Sequence, residues 1–184
     1  HKYTYSHLGF NLKPLDTQAA IGRVQLKRLR EFIQSRKDNW FYLRNGLDRL
    51  SDVLSFSLPT HAIGWNSKSG FIWDETGCKT DCSWFGFKIE VKPTAPFTRT
   101  DLAKELDKHN IGNRMLFGGN LARQPAFVDL LRSRPEALRI SNDLKGSDYI
   151  MNNILFLGTY PGLTKEMLDE EIKVIINFVE DKKN

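Results

Sequence analysis

Residues 16–51 read DTQAAIGRVQLKRLREFIQSRKDNWFYLRNGLDRLS, and the fold turns on this stretch. Leu26, Leu29, Ile33, Trp40, Leu43, Leu47 and Leu50 recur at spacings of three and four, with Arg36 as the one polar break. Such spacing lines one face of an α-helix, so the stretch is predicted as one or two long helices ending near Ser51. Asp16 or Thr17 can cap its start. The small residues Ala19-Ala20 and Gly22 around Ile21 allow close approach of a neighbouring backbone. The front of the helix is therefore expected to pack against something large.

Downstream, residues 52–83 scatter Pro59, Gly64, Gly70 and Gly77 among short apolar pieces, which reads as a loop or hairpin region. Phe85, Phe87, Ile89 and Val91 then alternate with Gly86, Lys88 and Glu90, the period of a half-buried strand that Pro93 and Pro96 end. Thr98-x-x-Asp101 forms a capping-box pattern, with Phe97 able to staple onto Leu102. The helix it opens carries Leu102, Ala103 and Leu106 and stops at Asn110, a residue tolerant of left-handed backbone. Residues 111–117 read as a strand with Ile111, Met115 and Phe117 on one face, broken by Gly118-Gly119-Asn120. A short helix over Pro125–Arg132, a strand near Ile154–Leu157 and a closing helix from Thr164, with Leu168, Ile172, Ile175 and Val179 on its stripe, complete the pattern. Acids early in that helix and Lys182-Lys183 at its end suit the helix dipole. The order implies an α/β fold of the α+β kind, a small sheet covered by helices.

Bulk composition excludes several function classes. The chain has 184 residues, 40% of them hydrophobic, enough for one core or a core with an appended arm. Its 27 basic and 22 acidic residues are interleaved, leaving a net charge of +5 without the concentrated patch of a nucleic-acid binder. No run of eighteen apolar residues and no signal-peptide pattern occurs, so a soluble, cytoplasmic protein away from membranes is expected. Cys78 and Cys82, with no histidine pair near them, cannot complete a zinc or iron–sulfur site, so no metal is expected here. The first residue is His1 rather than Met, and the opening stretch is already rich in aromatics, which suggests a fragment.

No phosphate-binding glycine loop, G-x-S-x-G or H-E-x-x-H pattern is present. His1, His7, His61 and His109 are scattered, and His109 falls at a helix C-terminus, where a cation is electrostatically welcome. Two breaks between apolar elements carry polar groups. Gly9-Phe10-Asn11 can be an ordinary turn or can bring donors up to an anion. Phe117-Gly118-Gly119-Asn120-Leu121 can be a tight connection or a close backbone approach to a ligand.

The run Gly9-Phe10-Asn11-Leu12-Lys13, followed by Gln18-Ala19-Ala20-Ile21-Gly22 and Gln25-Leu26-x-x-Leu29, resembles a signature of the DegT/DnrJ/EryC1/StrS aminotransferase family. Ser83-Trp84-Phe85-Gly86-Phe87, Pro96-Phe97-x-Arg99 and Phe117-Gly118-Gly119-Asn120-Leu121 with Gln124-Pro125 resemble one branch of it, the CDP-4-keto-6-deoxyglucose 3-dehydrases of lipopolysaccharide biosynthesis. The resemblance implies the C-terminal part of a pyridoxal-phosphate-dependent transferase-like fold: an interface arm and connecting helix over 1–51, and a small α/β domain over 52–184, downstream of a large cofactor domain. It further implies a homodimer in which Asn11 reaches the cofactor phosphate of the partner subunit. Lys13 departs from the arginine common among the sugar aminotransferases, which favours the dehydrase branch.

In that branch pyridoxamine 5'-phosphate, rather than pyridoxal 5'-phosphate tethered to a lysine, condenses with a 4-keto sugar and serves as electron sink for loss of the 3-hydroxyl. A histidine takes the acid/base role. The resemblance places that histidine, the aspartate at the pyridine nitrogen and any cluster-binding cysteines upstream of Gly9. No catalytic residue is therefore expected in this chain, which alone should be inactive. The expected contribution is binding: Asn11 to the cofactor, and Arg114, Asn120 and Gln124 to the nucleotide-sugar, with Arg114 also readable as a surface residue. Trp84 and Phe87 are expected in the core. A reductase is a further possible partner, and an aminotransferase of the same family or a non-catalytic binding module are the alternatives.

Overall fold

The computed structural model describes residues 13–184, so the expectation for Asn11 lies outside the described residues. The periodic stretch forms one continuous helix, α1 (Asp16–Gly46), followed by a short 3-10 turn at Asp48–Leu50. Leu15, not Asp16 or Thr17, occupies the capping position. Its backbone N–H donates to Gln18 Oε1 at 2.9 Å, so a side chain one turn inside the helix satisfies the end. Arg36, the break in the stripe, donates from Nη1 to the carbonyls of Trp84 (3.1 Å) and Phe85 (3.4 Å). A guanidinium on the inner face is tolerated because it ties helix to sheet.

The region 52–83 contains β1 (Leu54–Phe56) and a hairpin of β2 (Ala62–Asn66) and β3 (Gly70–Trp73). After β4 (Gly86–Val91) come α2 (Arg99–Lys108), β5 (Asn113–Met115), α3 (Pro125–Ser133), α4 (Lys145–Asn153), β6 (Ile154–Gly158) and α5 (Lys165–Lys183). The capping box on α2 is present: Thr98 N–H donates to Asp101 Oδ2 (2.9 Å) and Asp101 N–H to Thr98 Oγ1 (3.2 Å). Asn110 takes the left-handed conformation, φ +56°, at the end of that helix.

Strands β1, β4, β6 and β5 lie in that spatial order, every neighbouring pair antiparallel. Strands β4 and β5 thus run the same way, joined through α2, with β6 inserted between them. Alternation along β4 buries Phe87, Ile89 and Val91, which join Leu155 and Leu157 of β6 in one core. Trp40, Leu43 and Leu47 of α1, Leu102 and Leu106 of α2, and Leu168, Ile175 and Val179 of α5 close over that face. As expected, Phe87 is fully buried and Trp84 stacks on Trp40 at 4.5 Å.

Three expectations need correction. Phe85 does not share the buried face of β4; it precedes the strand and is 68% exposed. The strand over 111–117 shrinks to three residues, and Phe117 leaves the side of the sheet shared by Ile111 and Met115, because its backbone turns left-handed at φ +51°. Helix α4 has no counterpart among the expected elements: unlike α3, which opens on Pro125, it starts after a left-handed Leu144 (φ +54°) without a side-chain cap, so the sequence carries no start signal there.

The first half of α1 runs clear of the core. Ile21, Val24, Leu26 and Leu29 are all exposed, and burial begins in earnest only at Asn39 and Trp40.

Candidate functional site: the open face of the sheet

Antiparallel register places Lys88 and Arg114 on either side of Phe156, so one cross-strand row carries two cations flanking an aromatic ring. These residues point away from the helix-covered core, because they alternate with Phe87, Leu155 and Leu157. Phe85 and Phe117 enter the same face from the ends of their elements. The ring centroids lie 5.7 Å (Phe85–Phe156), 6.1 Å (Phe85–Phe117) and 6.2 Å (Phe117–Phe156) apart. Phe117 is 72% exposed, so the cluster is an accessible platform.

The platform is held by its backbone. A Cβ on Gly86 would stand 2.5 Å from Phe156 Cδ2 and 2.9 Å from the Leu157 carbonyl oxygen, so only glycine lets the Phe156 ring lie across β4. Beneath Phe85, the Trp84 carbonyl accepts from Arg36 and from Thr159 Oγ1 (2.8 Å), while Asn39 Nδ2 donates to the Tyr160 carbonyl at 3.0 Å. Lys88 lies 3.9 Å from Glu90 Oε2, and Glu90 Oε1 accepts from the Tyr149 hydroxyl at 2.7 Å. That bond to a carboxylate pushes the Tyr149 phenol up from its ordinary pKa. Arg114 is exposed and makes no ion pair among the described residues.

The other two substrate candidates build the turn behind Phe117. Asn120 is 2% exposed, and its amide is engaged on both sides. Its Oδ1 accepts from Ala122 N–H (3.1 Å) and its Nδ2 donates to Asp148 Oδ1 (2.8 Å). Gln124 Nε2 donates to the Gly118 carbonyl at 3.0 Å. Arg123 grips Asp148 through Nε and Nη2. The Arg123 bonds first, and the Asn120 amide second, hold the Asp148 carboxyl down at about 2. Gly119, at φ +61°, lets the turn settle on α4, where a Cβ would meet Met151 Cγ at 2.6 Å. Of the three, only Arg114 reaches the platform as a free cation; Asn120 and Gln124 shape the loop that presents Phe117.

Chemically, the face can stack a planar ring and pair with anionic oxygens. Lys88, Phe85, Phe117 and Phe156 are not brought together by any sequence pattern, because they belong to or flank three different strands whose order in the sheet makes them neighbours. Among the described residues no cluster of three or more His, Cys, Asp or Glu could hold a metal, and Cys78 and Cys82 are free thiols. His109 lies 3.4 Å from Glu105 on α2. No described helix is long and apolar enough to cross a membrane.

Known proteins share both sequence and shape with the chain. It is 43% identical over 169 residues to the lipopolysaccharide biosynthesis protein RfbH of Salmonella typhimurium, covering 92% of this chain and 33% of that one. It is 38% identical over 179 residues to a dTDP-4-dehydro-2,6-dideoxy-D-glucose 3-dehydratase of Saccharopolyspora spinosa, covering 97% and 34%. The chain therefore spans about a third of the length of these relatives. Among solved structures, the fold matches that of the E. coli GDP-4-keto-6-deoxy-D-mannose-3-dehydratase with bound hydrated PLP, with TM-score 0.73 at 24% identity over 95% of this chain and 38% of that one. A GDP-4-keto-6-deoxymannose-3-dehydratase variant with bound GDP-perosamine matches with TM-score 0.70 at 26% identity, over 94% and 38%. The DegT/DnrJ/EryC1/StrS aminotransferase family profile matches residues 1–177, and the chain belongs to that family.

Proposed function

We propose that the chain is the C-terminal part of a pyridoxamine-phosphate-dependent sugar-nucleotide 3-dehydratase, and that the open sheet face meets the nucleotide-sugar. The observation that carries this reading is the three-phenylalanine platform flanked by Lys88 and Arg114. A nucleotide-sugar offers a planar base and a diphosphate, which suit stacking and charge-assisted hydrogen bonds respectively. The relatives named as 3-dehydratases support the reaction type.

The described residues do not by themselves make up a cofactor site. The carboxylate on the open face, Glu90, is engaged by Tyr149, and no histidine stands on the platform. When bound, pyridoxamine phosphate supplies the electron sink for loss of the 3-hydroxyl. No chemical step is assigned to this chain's own residues, whose part is to orient the substrate and exclude water from one side. Asn11 is proposed as the donor to the cofactor phosphate of a partner subunit. The exposed front of α1, with Ile21, Val24, Leu26 and Leu29, is assigned to packing on a cofactor domain and on that subunit. A cytoplasmic homodimer served by a reductase completes the reading.

Arg114→Gln in the whole protein tests it. Losing one charge-assisted contact should raise KM for the nucleotide-sugar about tenfold, with a smaller change in kcat. An unchanged KM removes Arg114 from the site. Mass spectrometry of the product tests the reaction: loss of water and the 3-hydroxyl supports a dehydratase, whereas an amino sugar formed by transamination overturns it in favour of an aminotransferase.

A further inference from the structure

Phe117 stands in a backbone conformation that a bulky side chain rarely takes. Its φ is +51°, in the left-handed region, while its ring is 72% exposed, so burial of that ring does not offset the strain. The turn after it supplies the restraint. Gln124 Nε2 donates to the Gly118 carbonyl, Asn120 Nδ2 donates to Asp148 Oδ1, and Arg123 grips both oxygens of the same carboxylate through Nε and Nη2. Two of these three side chains therefore close on Asp148.

Asp148 is itself presented from a fixed base. The next residue in α4, Tyr149, donates its hydroxyl to Glu90 of β4 at 2.7 Å, and the Met151 carbonyl accepts from Arg99 Nη2 of α2 at 3.2 Å. The carboxylate thus ties the turn to the strand that carries Lys88 and to the helix that precedes β5. Released from Asp148, the turn can relax Phe117 toward an ordinary negative φ. That rotation takes its ring away from Phe85 and Phe156, which it now faces at 6.1 and 6.2 Å.

We propose that Asp148 is a positioning residue for ligand recognition: through Asn120 and Arg123 it fixes the strained turn that keeps Phe117 beside Phe85 and Phe156, where its ring stacks on a nucleotide base. The proposal rests on the nucleotide-sugar reading of the open face. Both Asp148 oxygens are taken by the turn, so its effect on a ligand passes through Phe117. Strain at Phe117 also separates binding from stability. Glycine there relieves the left-handed backbone and removes the ring, so the fold keeps its stability while the ligand loses its stacking partner.

Calorimetric titration of the cofactor-loaded whole protein with CDP, dTDP and GDP, continued with the tightest of the three, tests the proposal. Phe117→Gly should keep or raise the thermal midpoint and weaken binding about tenfold, the size of a lost base–aromatic stack. Asp148→Asn keeps the shape but removes the charge that Arg123 grips, and should weaken binding about fivefold. Arg123→Gln changes a side chain that is 59% exposed, should act alike, and serves if Asp148→Asn lowers the midpoint. Asp148→Glu retains the carboxylate and should bind more tightly than Asp148→Asn. Combined with Phe117→Gly, either Asp148→Asn or Arg123→Gln should cost less than about a further twofold, because the ring it positions is gone. If no nucleotide binds, or Phe117→Gly binds as the wild type does, the reading of the open face fails and the proposal with it. If Phe117→Gly weakens binding but Asp148→Asn and Arg123→Gln do not, or their losses add in full to that of Phe117→Gly, the reading stands and Asp148 is no positioning residue.

Discussion

Glu171 couples the stability of the chain to pH in a direction opposite to most carboxylates. Its pKa rises on folding from the ordinary 4.5 to about 7, because burial disfavours the charged form. Between those values the folded state holds a proton that the unfolded state has released. Stability from this group is thus full below pH 4.5, declines as pH climbs to about 7, and is flat above. Glutamine carries no such penalty, so Glu171→Gln should gain up to about 3 kcal/mol over the wild type at pH 8, with the gap closing near pH 4. Denaturant melts at the two pH values measure it. A constant gap across the range would mean that the carboxyl ionises normally. The stripe of Leu168, Ile172, Ile175 and Val179 was readable because it is periodic, whereas the burial of Glu171 arises only once α5 packs against other elements of the fold.

At the level of single elements, the turn from Phe117 to Gln124 depends on a helix that begins more than twenty residues later. Asp148 of α4 receives both Asn120 and Arg123, and its carboxyl is held down at about 2. A depressed carboxyl contributes stability that is present above its unfolded pKa, ordinarily 3.8, and is lost as pH falls toward 2. Asp148→Asn should therefore loosen the turn at neutral pH much as strong acid loosens the wild type. Hydrogen exchange at Ala122 and Arg123 should accelerate, while the amides of β4 and β6 stay protected. Loss of protection throughout the sheet would instead make α4 part of the main cooperative unit. The capping box of α2 was legible because Thr98 and Asp101 answer each other three residues apart. The paired glycines marked a break at 118–119, but nothing local told that Asn120 would turn inward to Asp148. Its burial is set by a partner from another element.

For the molecule as a whole, the unusual feature is a helix of about 46 Å with its leading half uncovered. Ile21, Val24, Leu26 and Leu29 touch little within the chain, and an apolar face of this extent drives association. Glutamate at two of these positions keeps the helix propensity and removes the drive. The double variant Ile21→Glu with Val24→Glu should sediment as a smaller species than the wild type, with an unchanged thermal midpoint. A drop in midpoint without a change in size would show that those residues are covered inside the monomer. The long helix, the strand β4, the capped α2 and the closing α5 were all visible as periodicities. The aromatic platform was not, because Phe85, Phe117 and Phe156 become neighbours only through the order in which the strands lie side by side.

That strand order also bears on how the chain comes off the ribosome. The strand at the middle of the sheet, β6, is the last to be synthesised, and its two neighbours precede it by roughly forty and seventy residues. A nascent chain can zip β1 onto β4 early, but β5 has no partner until residue 154 emerges. Pairings this distant in sequence close slowly, since a long loop must be ordered before any contact rewards it. During elongation the hydrogen-bonding edges of β4 and β5 stand open together, a window in which a chaperone, or another growing copy, can reach them first.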